Sequence, residues 1–370
     1  HTRSYSVTGV QTGARPISWG AKATATADAA GKWRATLATP PAGGPFTVTV
    51  TGTATTTFTD VLSGDVWLCS GQSNMAMTVS NSRDAAEETA AADFPMIRLM
   101  KVANVTANDP QETCAVTAWA PCSPATVGSF SATGYFFGRR LHRDLGVPIG
   151  LINSSWGGTG IEAWTPWSAQ QDDPALQQSR VAWDKRDAEY DPEAAKAKFE
   201  AERKAWADWN QGDKTAPQPP RPRAPVQPRK DQNYPSNLYN AMIHPLVPYA
   251  IRGAIWYQGE HNSGQGERYR TLLERLIVSW RHLWGYEFPF YFVQLPNYRA
   301  PWQNPVEGGW AAIRESFMNT AKEVPNTGMA ITIDIGEADD IHPKNKQDVG
   351  DRLARARSEG HTSELQSPNT

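Results

Sequence analysis

The 370-residue chain reads as an α/β protein, a largely parallel sheet covered by helices on both faces and preceded by a small β-rich module. Three observations carry this reading. From Val61 onward, short apolar runs alternate with longer amphipathic segments, the rhythm of strand–helix–strand units. Residues 1–60 have another texture, rich in Thr, Val, Ala and Gly, with period-two runs separated by turn residues. The run Asp65-Val66-Trp67-Leu68-Cys69 then breaks at Ser70-Gly71-Gln72 and delivers Ser73, beside Asn74, Met75 and Met77, at a strand-to-helix turn.

In the first module, over residues 1–62, the alternating runs are Ala21–Ala27, Trp33–Leu37 and Phe46–Thr51, punctuated by Ala29-Ala30-Gly31-Lys32 and by Pro40–Pro45. They read as antiparallel strands of a partial β-sandwich or jelly roll with no catalytic-looking cluster. His1 falls in mid-pattern, so a further strand or two is expected ahead of it.

Over residues 63–356 the strands are expected at Val66–Cys69, Met96–Val102, Pro148–Asn153, Ile251–Tyr257, Pro289–Gln294 and Met329–Asp334. The helices are expected at Gly134–Leu145, Leu238–Leu246, Glu267–Trp284, Trp310–Glu323 and Asn345–Arg355. In the third of these, Leu272, Leu273, Leu276, Ile277, Trp280 and Trp284 recur at helical spacing and mark a core-facing stripe. Between residues 168 and 232 the rhythm stops. A charged helical stretch, Pro192–Asn210, leads into the proline-rich arm Gln218–Pro228, read as an insertion that is either a solvated excursion or one wall of a cleft. Residues 357–370 have no apolar periodicity and resemble translated sequencing-adapter read-through, so a disordered, non-native tail is expected there.

Composition narrows the function. Lys and Arg number 36 against 38 Asp and Glu, a net charge of −2 that gives no footprint for nucleic acid or an anionic membrane. No run of about 18 apolar residues reads as a membrane span. The 15 Trp and 28 Pro suit a protein that handles sugars. The first residues carry no leader-like pattern, and the chain is expected to work in a secreted or periplasmic setting. Of three cysteines, Cys69 lies in a core strand, while Cys114 and Cys122 are either a small loop disulfide or two free thiols.

A serine at a strand-to-helix turn is where α/β hydrolases set a nucleophile, because the turn exposes the hydroxyl and the following N–H groups favour an anion. The plain alternative is a helix cap. A nucleophilic serine needs a base. Among seven histidines, His1 and His361 sit near the ends, His142 and His282 lie within helices, and His244 precedes Pro245. His261 ends a strand, and His342 follows Asp339-Asp340-Ile341 with carboxylates two and three residues upstream, which makes it the expected base. Oxyanion donors have two sources at strand ends. One is the glycine-rich loop Asn153–Gly160; the other is Tyr257-Gln258-Gly259-Glu260-His261-Asn262, which carries an amide.

The order of these blocks resembles the SGNH hydrolase superfamily. More narrowly, it resembles the sialate O-acetylesterase branch and the related acetylxylan esterases: Gly71-Gln72-Ser73-Asn74-Met75, then Trp156-Gly157-Gly158-Thr159, then Trp256–Asn262, then Asp340-Ile341-His342-Pro343. The resemblance covers residues 65–356 and implies a flavodoxin-like three-layer α/β/α domain. It implies Ser73 as nucleophile, His342 as base and Asp340 as its orienter. The broader superfamily pattern would instead use Asp339. The oxyanion donors it implies are the Ser73 amide, Gly157 or Gly158, and Asn262, although the block reads Gly-Glu-His-Asn and shifts the asparagine. Gln72, Gln258, Glu260 and Trp164 are placed as candidate sugar contacts, with core packing an equal account of Trp164 and a structural role open for Glu260. The implied reaction is removal of an O-acetyl group from a sugar, with no metal or cofactor, no nucleic acid and no membrane partner. A polysaccharide esterase and a non-catalytic carbohydrate-binding protein are the competing readings.

Overall fold

The structure, a computed structural model, describes residues 3–5, 20–212, 215, 217–247, 249–301, 304 and 308–364, with side chains from residue 20 to residue 357. At the N-terminus β1 (Arg3–Tyr5) pairs antiparallel with β2 (Ala35–Leu37), and β3 (Gly43–Thr51) with β4 (Thr55–Ser63). None of the described residues 20–63 is buried. The expected run Ala21–Ala27 alternates half-buried and exposed like an extended strand but joins no ladder. The remainder of the expected module, residues 1–2 and 6–19, lies outside the described residues.

The body of the chain is a seven-stranded sheet built from β5 (Asp65–Gly71), β6 (Phe94–Lys101), β7 (Ala120–Cys122), β8 (Ile149–Ser155), β9 (Gly253–Tyr257), β10 (Phe290–Val293) and β11 (Thr327–Ala330). Its order is β11–β10–β9–β5–β8–β6–β7, parallel throughout except for the edge strand β7. The central strand β5 is a continuous apolar run because both of its faces are covered. The chain first builds β6 and β8 on one side of β5, then crosses to build β9, β10 and β11 on the other. That reversal opens a crevice at the carboxyl end of β5, the usual ligand position in an open α/β sheet.

The helices are α1 (Ser73–Ala76), α2 (Ala85–Ala90), α3 (Ala132–Leu145), α4 (Ile161–Trp164), α5 (Pro174–Ala188), α6 (Pro192–Gln211), α7 (Tyr269–Trp284), α8 (Gly309–Glu323) and α9 (Lys346–Glu364). Strand alternation sorts the aromatic core between two faces. Trp67 meets Phe137 of α3, whereas Trp256 and Phe290 meet Trp280 of α7. On the first face α3 and α9 pack so closely that a Cβ on Gly350 would lie 2.6 Å from the Phe136 Cβ. The three-layer α/β/α expectation therefore holds for the body of the chain.

Several elements differ from their sequence reading. Leu238–Leu246 is a π-helical turn, Tyr239–Ile243, running into a 3-10 turn, His244–Leu246, because Pro245 supplies no N–H for a regular helix. The last strand stops at Ala330, and Thr332 instead donates its hydroxyl to the Gln294 carbonyl at 2.5 Å. The insertion contains α5 as well as the expected α6. α9 carries the backbone into the expected tail as far as Glu364; residues 365–370 lie outside the described residues. Cys69, Cys114 and Cys122 are all free, which closes the alternative of a loop disulfide.

Candidate active site

At the carboxyl end of β5 the backbone turns sharply. Gly71 has φ +135°, and a Cβ there would lie 2.1 Å from the Tyr257 carbonyl oxygen of neighbouring β9, so only glycine fits. The Gln72 N–H donates to the same carbonyl at 2.9 Å. The turn lifts Ser73 to the first position of α1, half-buried at the crevice floor.

The loop between β11 and α9 brings His342 to this point from 269 residues away, with Nε2 at 2.8 Å from the Ser73 Oγ. Asp340 Oδ1 accepts the main-chain N–H of His342 at 2.8 Å and lies 3.7 Å from its Nδ1. Asp340 Oδ2 also pairs with Lys344 at 3.2 Å. Asp339 is exposed, so Asp340 is the carboxylate that faces the ring. A hydroxyl in hydrogen-bond reach of an imidazole that a carboxylate flanks on its other side is the geometry for general-base activation of a nucleophile. Burial of the ring, together with the cations Lys346 and Lys344, outweighs Asp340 and holds the imidazole below its ordinary proton affinity. The Asp340 carboxyl is held low, first by the His342 N–H and then by Lys344.

The second strand-end loop approaches the serine directly. A Cβ on Gly157 would sit 3.2 Å from the Ser73 Cβ, so the loop packs against the serine at this glycine, whereas Gly158 (φ +73°) is exposed. This loop is held from the far side of the insertion, a feature that sequence reasoning missed. Gln232 donates to the Gly157 carbonyl at 3.1 Å, and Asn233 both donates to the Gly158 carbonyl at 3.1 Å and accepts the Gly160 N–H at 2.8 Å. Their adjacency to the proline-rich arm was the available signal.

The third block departs from expectation. Asn262 is buried: Nδ2 donates one of its two hydrogens to Glu162 at 2.9 Å, while Oδ1 accepts from Ile161 N–H at 3.0 Å and from Gln258 at 2.8 Å. It braces the loops around the site. The four expected sugar contacts also lie beneath the surface. Gln258 is fully buried between Asn262, the Thr159 carbonyl and the Tyr269 hydroxyl. Gln72 is 3% exposed and accepts the His261 N–H. Trp164 is fully buried, donating to Thr159 and lying edge-on to Trp256. Glu260 accepts from Asn74 at 2.5 Å. In each case the loop folds back into the sheet end, a direction that residue type alone does not carry. The exposed side chain at this strand end is His261, packed beside Gly160.

Beneath the serine lies a buried polar chain that sequence reasoning did not find as a unit. The Lys346 Nζ donates to the Asn74 Oδ1 at 2.6 Å, and Asn74 Nδ2 donates to Glu260 Oε1 and to the Ile341 carbonyl at 2.9 Å. Lys346 is fully buried, with its ammonium 5.0 Å from the centre of the Tyr257 ring. Burial pushes its pKa down to about 7, opposed chiefly by Glu260.

Residues 63–192 and 227–359 match the family described as carbohydrate esterase, sialic acid-specific acetylesterase. The chain is 34% identical to the sialate O-acetylesterase of Mus musculus, over 90% of this chain and 64% of that protein. It is 31% identical to the Homo sapiens sialate O-acetylesterase, over 87% of this chain and 59% of that protein. It thus spans about three fifths of the length of the curated relatives it matches. Among solved structures, a carbohydrate acetylesterase from Xanthomonas citri superposes with a TM-score of 0.77 at 33% identity, covering 97% of this chain and 70% of that one. With the family match spanning the sheet, the serine turn and the histidine loop alike, the chain belongs to the sialic acid-specific acetylesterase family of carbohydrate esterases.

Proposed function

We propose that the protein is a serine esterase that removes O-acetyl groups from sugars, with an acetylated sialic acid as the first substrate to test. The observation that carries this reading is the 2.8 Å approach of the His342 Nε2 to the Ser73 Oγ, with Asp340 behind the ring. His342 takes the hydroxyl proton as Ser73 attacks the acetyl carbonyl. The Ser73 amide, at a helix start where no preceding carbonyl pairs with it, and the Gly157 amide receive the developing oxyanion. His342 then protonates the departing sugar oxygen, leaving acetyl-Ser73. A water activated by the same ring releases acetate and restores the hydroxyl. The mouth of the crevice offers Gly158, Gln232 and His261 to the sugar. Such a substrate fits a secreted or periplasmic enzyme.

The test is turnover of p-nitrophenyl acetate by the chain and by Ser73→Ala at equal concentration. Loss by orders of magnitude in a variant that melts like the parent supports the reading; equal rates overturn it. A folded parent with no turnover points to a carbohydrate-binding role instead. A panel of acetylated sialic acid, acetylated xylan and simple acetyl sugars then separates sialate from polysaccharide esters.

A further inference from the structure

A lysine ammonium and a carboxylate buried on either side of one asparagine amide cost stability unless each hydrogen-bonding site is filled. Here it is not: the buried Glu260 Oε2 has no partner among the described residues. An apolar pair of similar volume would serve packing at least as well, so the arrangement needs another reason. Its geometry supplies one. Asn74 is the neighbour of Ser73, and Ile341, whose carbonyl it holds, is the neighbour of His342. Lys346 opens α9 and Glu260 follows β9, so one buried asparagine joins the serine turn, the histidine loop, the last helix and the central sheet. We propose that Lys346, acting through Asn74 and with Glu260 as counter-charge, is a positioning residue for the Ser73–His342 pair, holding both loops in register.

The groups facing His342 are Ser73 from α1, Asp340 and Lys344 from its own loop, and Lys346 from α9. Those facing Lys346 are Glu260, Asp340, Glu337 and Lys344. Of these, Lys346 is a cation buried from solvent, so its field on the ring is the least screened. On the acid side of neutrality, where His342 titrates, Lys346 carries its proton, and its repulsion is present where it is measured.

The proposal rests on the assignment of Ser73 and His342 made above, and its test is chosen to stand apart from it. The His342 ring is titrated by NMR in Ser73→Ala protein, alone and combined with Lys346→Gln or Lys346→Met. Removing the charge raises the ring midpoint by about half a pH unit or more in both. In the active background, Lys346→Met, which also loses the hydrogen bond to Asn74, lowers kcat by about tenfold with KM little changed, and Lys346→Gln, which keeps a donor, lowers it less. The double variant Lys346→Met/Glu260→Gln leaves neither charge unpaired and supplies the measurement if a single variant does not fold. An unmoved ring midpoint in folded protein overturns the proposal, whether or not the parent hydrolyses esters.

Discussion

In the proposed reaction His342 serves as a base only when its ring is neutral, and its surroundings set the pH at which that holds. Burial and two lysines depress its proton affinity more than Asp340 raises it. The folded ring therefore titrates below the ordinary imidazole value of about 6.5. The acid limb of kcat/KM is expected with its midpoint under that value: activity is complete at neutral pH and is lost as the pH falls through the folded midpoint. A midpoint above 7 in a pH–rate profile would show that Asp340 dominates instead. The two carboxylates beside the base separate in the same assay. Asp340→Asn lowers kcat by about tenfold or more, while Asp339→Asn, an exposed position, stays within about twofold. At this scale the sequence pattern led to Ser73, His342 and Asp340, which the fold brings together. It was illegible where burial decides. Nothing in the letters of Gln258, Asn262 or Trp164 says that their side chains turn under the loop rather than toward substrate.

Elements were legible where geometry forces composition. Parallel strands covered on both faces must be apolar, which exposed β5, β8 and β9, and amphipathic spacing exposed α7. The π-helical turn at Tyr239–Ile243 was hidden because all five of its residues are buried and carry no period. The serine turn shows how a single atom constrains an element. Gly71→Ala meets the Tyr257 carbonyl at 2.1 Å in addition to a positive φ, and the β5–β9 pairing has no room to yield. Its expected cost is about 3 kcal/mol or more in urea unfolding, with activity lost. Gly158→Ala is the comparison. It also has positive φ, but its nearest neighbour is the Gln232 amide nitrogen at 3.6 Å, so only the left-handed backbone counts, about 1–2 kcal/mol. Equal costs for the two would show that strain at Gly71, not contact with β9, governs the turn.

For the molecule as a whole, the open matter is whether the insertion is a wall of the cleft or a solvated excursion, and its two halves give different answers. The first half is tied down. Asp173 of the α5 cap pairs with Arg268, Asp184 pairs with Arg229 and accepts from Tyr234, and Asp187 accepts the Arg229 N–H at 2.9 Å. The chain leaves and re-enters the body at almost one point, between residues 187 and 229, and the residues just beyond, Gln232 and Asn233, clamp the loop that faces Ser73. The second half differs: none of the twenty residues of α6 is buried, and the family match skips residues 193–226. Replacing residues 190–226 by a short Gly-Ser linker therefore removes little buried surface and closes a gap already bridged by Asp187 and Arg229. Melting is expected to fall by a few degrees at most, since each kcal/mol is worth about 2–4 °C in a chain of roughly 150–250 residues and less in a longer one. Turnover of a small acetyl ester should stay within about twofold. Gln232→Ala, which frees the Gly157 carbonyl, is expected to lower that turnover more than the deletion does, because it loosens a loop that packs against Ser73. A deletion variant that folds and binds sugar but no longer turns over acetyl esters would instead make α6 part of the cleft.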